Sequence, residues 1–247
     1  MAMLYRVLYN KWFLPSLPPP NTFDGQTVLI TGATGGLGLE TAIHFVNLGA
    51  STVIITARTL SRGHTAQATI EARTGKKGIV QVRELDMSTF AGVKTFVDSL
   101  KEDVKTIDVV LLNAGVYKKT YDLSPDGWEE TLQVNTLSTI LLGLLLLPWM
   151  KTSPPEGGKT QHLGFVSSER HTRADIEAKD FPKEDVLRYW SDEKHFLGSE
   201  MYALSKLFMM YGVAEILKLT RGEDERFVES SILYRVVTIA PVRSSSD

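Results

Sequence analysis

The stretch Thr27-Val28-Leu29-Ile30-Thr31-Gly32-Ala33-Thr34-Gly35-Gly36-Leu37-Gly38 decides how the rest of the chain reads. Four β-favouring residues run into a glycine-dense turn. Leu39, Ala42, Ile43 and Val46 then recur at i, i+3, i+4 and i+7, which is one face of an α-helix. Strand, turn and helix in that order aim unpaired N–H groups and the positive helix end at whatever sits in the turn, an arrangement suited to phosphate. The glycines permit a sharp turn and a close backbone approach to a pyrophosphate. A glycine cluster alone predicts only a turn; set between a strand and an amphipathic helix, it predicts dinucleotide binding.

The remaining chain repeats the unit. Strands are expected at 51–56, 79–85, 108–112, 162–166 and 233–240, with helices at 61–73, 89–100, 127–150 and 201–219 between them. Ser88 is expected to cap the helix after the third strand. Such alternation implies right-handed crossovers and an α/β fold, a Rossmann-type doubly wound parallel sheet with order 3-2-1-4-5-6. Ligands of such sheets bind at the carboxyl ends of the strands, where Asp86, Asn113 and the glycine turn all fall. The apolar run 140–149 is too short to span a bilayer, and Gly143 and Pro148 suit a buried helix. Residues 25–247 therefore form one domain, with a polar insertion at 169–198.

Residues 1–24 stand apart as an extension: Leu4, Val7, Leu8 and Trp12 can line a short helix, and Pro15, Pro18, Pro19 and Pro20 stiffen the segment after it. Packing on the domain's flank is the simplest reading, with peripheral membrane contact through residues 1–14 as the alternative. A net charge of −2 gives no footing for nucleic acid. The chain has no cysteine, which fits a reducing, cytoplasmic setting, and its five histidines are too scattered for a metal site.

Tyr202-Ala-Leu-Ser-Lys206 places a phenol and an ammonium one helical turn apart. A free phenol ionises near 10, and a neighbouring ammonium favours its anion, which brings a tyrosine toward acid–base work at neutral pH. By spacing alone the pair means little. Together with Thr31-Gly32-x-x-x-Gly36-x-Gly38, Asp86, Asn113-Ala114-Gly115, Asn135 and Ser168, however, it resembles the short-chain dehydrogenase/reductase family over residues 24–241, most of all its fungal and retinol-dehydrogenase-like members. Gly32, Gly35 and Gly38 also fit the spacing of the longer epimerase-like branch, which needs a larger C-terminal substrate domain.

The resemblance implies roles. Gly32, Gly36, Leu37 and Gly38 would form the cofactor turn, Asp86 would hold the adenine, and Asn113 would brace the sheet beside the cofactor. Tyr202 would be the general acid, Lys206 would assist it and bind the ribose, Ser168 would hold the substrate oxygen, and Asn135 would hold a relay water. Thr56-Ala57-Arg58, with Arg62 behind it and no acid at the end of the second strand, favours NADP over NAD, because a guanidinium pairs with the 2′-phosphate. The implied function is reduction of a ketone or aldehyde, or oxidation of an alcohol, on a polyketide- or terpenoid-like small molecule, with a homodimer left open. Members usually continue past the sixth strand with a threonine, a lid and a seventh strand, for which Pro241 to Asp247 leave no room. A non-catalytic NADP-binding or interaction protein is therefore the alternative.

Overall fold

The computed structural model describes residues 18–155, 159–174, 182–220 and 234–239, with 219–220 and 234–239 described by backbone alone. The expectations for residues 1–17, Gly157-Gly158, Pro241 and the C-terminal serines lie outside the described residues. Six strands form one sheet: β1 (Thr27–Ile30), β2 (Thr52–Ala57), β3 (Val80–Glu84), β4 (Val109–Leu112), β5 (Gln161–Val166) and β6 (Tyr234–Ile239). Their spatial order is β3-β2-β1-β4-β5-β6, as the sequence pattern predicts, and β1 to β5 are parallel.

The last strand departs from expectation. β6 runs antiparallel to β5, with Gln161 opposite Ile239 and Val166 opposite Tyr234. An apolar run specifies that a strand exists, not which way it points. The 13 residues 221–233 that precede β6 can span up to about 45 Å when extended, so the chain can enter the edge position from either end of the sheet.

The helices are α1 (Gly36–Asn47), α2 (Leu60–Thr74), α3 (Phe90–Asp103), α4 (Glu130–Thr152), α5 (Val186–Ser191) and α6 (Met201–Thr220). Strand residues alternate between two cores. Val28, Ile30, Val53 and Ile55 meet Ala42 and Val46 of α1 and Ala66 and Ile70 of α2. Leu29, Ile54, Val110 and Phe165 face the other way, toward α3, α4 and α6. Burial on both faces explains why the strands read as continuous apolar runs rather than as alternating ones. Thr89, not Ser88, caps α3, its hydroxyl accepting from the Gly92 N–H at 3.0 Å.

The described end of the extension packs on the domain's flank. Phe23 meets the Phe45 ring edge-on at 4.6 Å, and its N–H donates to Leu48 O. α4 begins later than its apolar pattern suggests, because Gly127 takes a left-handed turn (φ 73) and Glu129 caps the Leu132 N–H. At 23 residues it is long and apolar enough to cross a membrane, yet 67% of its apolar window is buried inside the fold, so it serves as the central core helix. Its first half opens into a π-turn at Gln133–Ser138.

The insertion is partly built into the core as well. Trp190 on α5 packs with Leu132, Leu204 and Phe208, and Ser191 Oγ accepts from the Glu129 N–H at 2.7 Å. That portion is anchored to the core. Its apolar residues follow no regular period, which is why the sequence pattern is silent on it.

Gly143 on α4 sets the distance between that helix and the sheet. A Cβ there would lie 2.6 Å from the Phe165 ring, which is itself fully buried. Gly143→Val is expected to lower stability by about 1–3 kcal/mol through overpacking. A urea midpoint equal to that of the unmutated chain would show that α4 can move off the sheet at no cost.

Candidate functional site

The sheet order reverses between β1 and β4, and the crevice beyond their carboxyl ends is where a doubly wound sheet takes a ligand. A cleft of about 750 Å³ lies there. Gly32, Leu37, Gly38, Arg58, Asn113, Tyr202 and Lys206 all line it. Gly36, Asp86, Asn135 and Ser168 do not, although immediate neighbours of each (Gly35, Met87, Val134 and Ser167) do.

The floor of the cleft is fixed by two strand ends. Thr31, fully buried, accepts at Oγ1 from the N–H groups of both Asn113 and Ala114, each at 3.0 Å. Asn113 Nδ2 donates back to Thr31 O at 3.0 Å and to Gly32 O at 3.3 Å. The backbone approach is tight: a Cβ on Gly32 would lie 2.7 Å from Ala114 Cα, and one on Gly38 would collide with the Gly32 carbonyl. Gly35, in contrast, would point a Cβ into open space. The first turn of α1 has no side-chain cap and no acidic residue, so its N–H groups are left for a ligand. Leu37, 77% exposed, stands at the lip.

These features fit a dinucleotide. The glycine turn and the uncapped α1 end offer N–H groups to a diphosphate. Arg58 and Arg62 at the β2 end offer guanidinium groups to a further phosphate. Asp86 is engaged locally, its Oδ1 accepting from Ser88 N–H at 2.9 Å and Ser88 Oγ–H at 2.7 Å. That bond sets the turn after β3 and places Met87 and Ser88 in the cleft wall.

At the opposite end of the cleft stand Tyr202 and Lys206, both on α6. Lys206 is 3% exposed, its Nζ donates to Val166 O at 2.8 Å, and burial pushes its pKa down to about 8. The ammonium lies 5.9 Å from the Tyr202 ring centre. Asn135 sits in the π-turn of α4, fully buried, accepting from the Val116 N–H at 2.8 Å and donating to Val116 O and Ser205 Oγ. The π-turn rotates Asn135 toward the loop after β4, where its Oδ1 would lie 3.2 Å from a Cβ placed on Gly115. Ser168 caps a short 3-10 turn, Glu169–Arg173, accepting from the Arg170 N–H at 3.3 Å, and Ser167 is the serine that lines the cleft.

Sequence reading passed over Tyr117, Arg170 and Ser205. Tyr117 meets the Tyr202 ring edge-on at 5.5 Å, and the Arg170 guanidinium sits 5.6 Å from the centre of the Tyr117 ring. Ser205, fully buried within Tyr202-x-x-x-Lys206, donates to Tyr202 O at 2.8 Å and ties α6 to Asn135. Its place between the two marked residues was the only available signal; Tyr117 and Arg170 had none.

A family model described as short chain dehydrogenase matches residues 26–168. Among curated proteins, the chain is 35% identical over 211 residues to the short-chain dehydrogenase/reductase ffsI of Aspergillus flavipes, covering 85% of this chain and 62% of that one. It is 37% identical over 211 residues to the short-chain dehydrogenase/reductase phmF of Phaeosphaeria nodorum, with the same two coverages. The chain thus spans less than two thirds of the length of these relatives. Among solved structures, an uncharacterised protein from Mycobacterium paratuberculosis superposes with a TM-score of 0.60 at 30% identity, over 81% of this chain and 64% of that one. A short-chain dehydrogenase from Shigella flexneri in complex with NADP shares the fold, with a TM-score of 0.56 at 23% identity over 81% and 73%.

The buried Lys206 makes a pH prediction. Its folded pKa lies below the ordinary value of 10.5, at about 8, so between those values the unfolded chain binds more protons than the folded one. Stability therefore rises with pH across that window and the cost of the buried charge is greatest below it. Lys206→Met is expected to flatten the rise between about pH 8 and 10 in urea titrations, relative to the unmutated chain. Parallel profiles for the two proteins would mean that the ammonium is solvated.

Proposed function

Because this chain belongs to the short-chain dehydrogenase/reductase family, we propose that it is an NADP-dependent oxidoreductase interconverting a ketone or aldehyde with its alcohol. The observation that carries this reading is the gathering, in one cleft, of an uncapped glycine turn, Arg58 and Arg62 at one end, and Tyr202 with the buried Lys206 at the other. NADP is preferred because, among the described residues, the cleft presents two guanidinium groups and no carboxylate where β2 ends. The NADP held by the Shigella flexneri protein supports the same choice by fold likeness. The likeness to fungal relatives favours a polyketide- or terpenoid-like metabolite as substrate.

When bound, the nicotinamide supplies a hydride to the carbonyl carbon or takes one from the alcohol. The residues of the chain handle the proton. Tyr202 holds the proton destined for the carbonyl oxygen. Lys206, one turn along α6 and fixed by Val166 O, favours the phenolate that remains after transfer. Its lowered pKa still leaves the ammonium charged near neutrality, so this assistance is present there. Asn135 holds the loop after β4 through Val116 and holds α6 through Ser205, which fixes the wall opposite Tyr202. Ser168 is proposed to orient the substrate oxygen, with Ser167 as the competing position because it lines the cleft.

Turnover and cofactor binding on a small set of variants test the scheme. Tyr202→Phe removes the transferable proton and little else, so NADPH should still bind while carbonyl reduction falls by about two to four powers of ten. Near-full activity in that variant would move the proton donor elsewhere. Comparing Ser167→Ala with Ser168→Ala identifies the orienting serine by the larger loss of turnover. Arg58→Asp should weaken NADPH binding far more than NADH binding, since it replaces a charge-assisted pair with repulsion. Equal weakening of both would place Arg58 away from the 2′-phosphate. NADPH binding without reduction of any carbonyl would favour the non-catalytic alternative.

A further inference from the structure

The lining of the cleft is electrostatically one-sided. Arg58, Arg62, Arg170 and Lys206 are in it, and among the described residues no aspartate or glutamate is. A dinucleotide accounts for three of the four: the two arginines at the β2 end meet its phosphates, and Lys206 serves Tyr202 and the ribose. Arg170 is left over. It comes after β5, whereas Arg58 comes after β2, and the order β2-β1-β4-β5 separates those strand ends by three spacings. At about 4.8 Å per spacing that is roughly 14 Å, so one phosphate cannot engage both.

The surroundings of Arg170 match a recognition role. It is exposed to the cleft, and among the described residues no carboxylate forms an ion pair with it. The nearest acid in sequence, Glu169, is paired instead with Arg173 at 3.2 Å. The guanidinium stands 5.6 Å from the centre of the Tyr117 ring, and Tyr117 in turn stands edge-on to Tyr202 at 5.5 Å. Resting near an aromatic ring costs a guanidinium little and leaves its N–H fork free for a planar anion. The cation, the ring and the proton donor thus form a row within one small-molecule length.

We propose, on the premise of the carbonyl-reducing site above, that Arg170 is a specificity-determining residue that selects substrates carrying a carboxylate one short spacer away from the reacting carbonyl. Tyr117 forms the aromatic wall between the two groups, so an unsaturated or aromatic spacer is favoured over a bare alkyl chain.

The test uses para-carboxybenzaldehyde and its methyl ester, which differ in charge and hardly in shape. In the unmutated chain kcat/KM for the acid should exceed that for the ester by about tenfold or more, the usual strength of a hydrogen bond to a charged group. Arg170→Ala should bring the ratio close to one, Arg170→Lys should retain part of it, and Arg170→Glu should invert it. A ratio that Arg170→Ala leaves unchanged overturns the proposal while leaving the reductase reading intact. If neither aldehyde is turned over, the reductase reading fails for this pair, and terephthalate binding to the NADPH-saturated protein, measured by calorimetry, decides about Arg170 alone. Binding weakened about tenfold or more by Arg170→Ala sustains the anion subsite. Equal binding to both proteins, or none to either, overturns it.

Discussion

The contact on which the molecule most depends is the reciprocal clamp between Thr31 and Asn113. Two parallel strands that stop side by side leave their last N–H and carbonyl groups without ladder partners. Thr31 Oγ1 and the Asn113 amide satisfy these groups across the gap, with four hydrogen bonds of 3.0–3.3 Å. The same clamp holds the Gly32 turn against Ala114, at a separation that leaves no space for a Cβ. The bottom of the cleft is therefore largely backbone, held by the bonds of the Thr31 and Asn113 side chains. The shortness of the side chains here is as much a part of the site as any charged group.

The end of the cleft that carries Tyr202 and Lys206 is held by a different device. A lysine buried to 3% exposure is costly, and its lowered pKa records that cost. What keeps it in place is an unbroken set of polar contacts: Val166 O for the ammonium, Ser205 for the turn of α6, and Asn135 for Ser205. The π-turn in α4 belongs to this set, because a regular helix would rotate Asn135 away from Val116. The local loss of helical regularity is offset by the hydrogen bonds that tie the loop after β4 to α6 through Asn135 and Ser205.

Between these two ends the cleft grades in chemistry rather than in shape. One end offers fixed N–H groups and two guanidinium groups; the other offers a phenol, a buried ammonium and an aromatic ring with a guanidinium beside it. An anionic cofactor suits the first. The second is positive as well, which a neutral carbonyl substrate would not by itself require.

The sequence by itself determined the five parallel strands, their order, and most of the glycine turn, because local spacing dictates each: glycines where the backbone must turn, period 3.6 where a helix lies on a sheet, apolar runs where both faces are covered. It marked Tyr202 and Lys206 through the resemblance carried by the whole set of motifs, since their one-turn spacing alone means little, and Asn113 because it ends a strand. Only the tertiary structure decided the direction of β6, since an apolar run is the same read either way. It also decided that Thr89 rather than Ser88 caps α3, that Asp86 Oδ1 accepts from Ser88, and that Trp190 carries the insertion into the core. Tyr117 and Arg170 became visible only there. They come from different loops, 53 positions apart, and what joins them is a ring contact at the ends of adjacent strands, which no local spacing encodes.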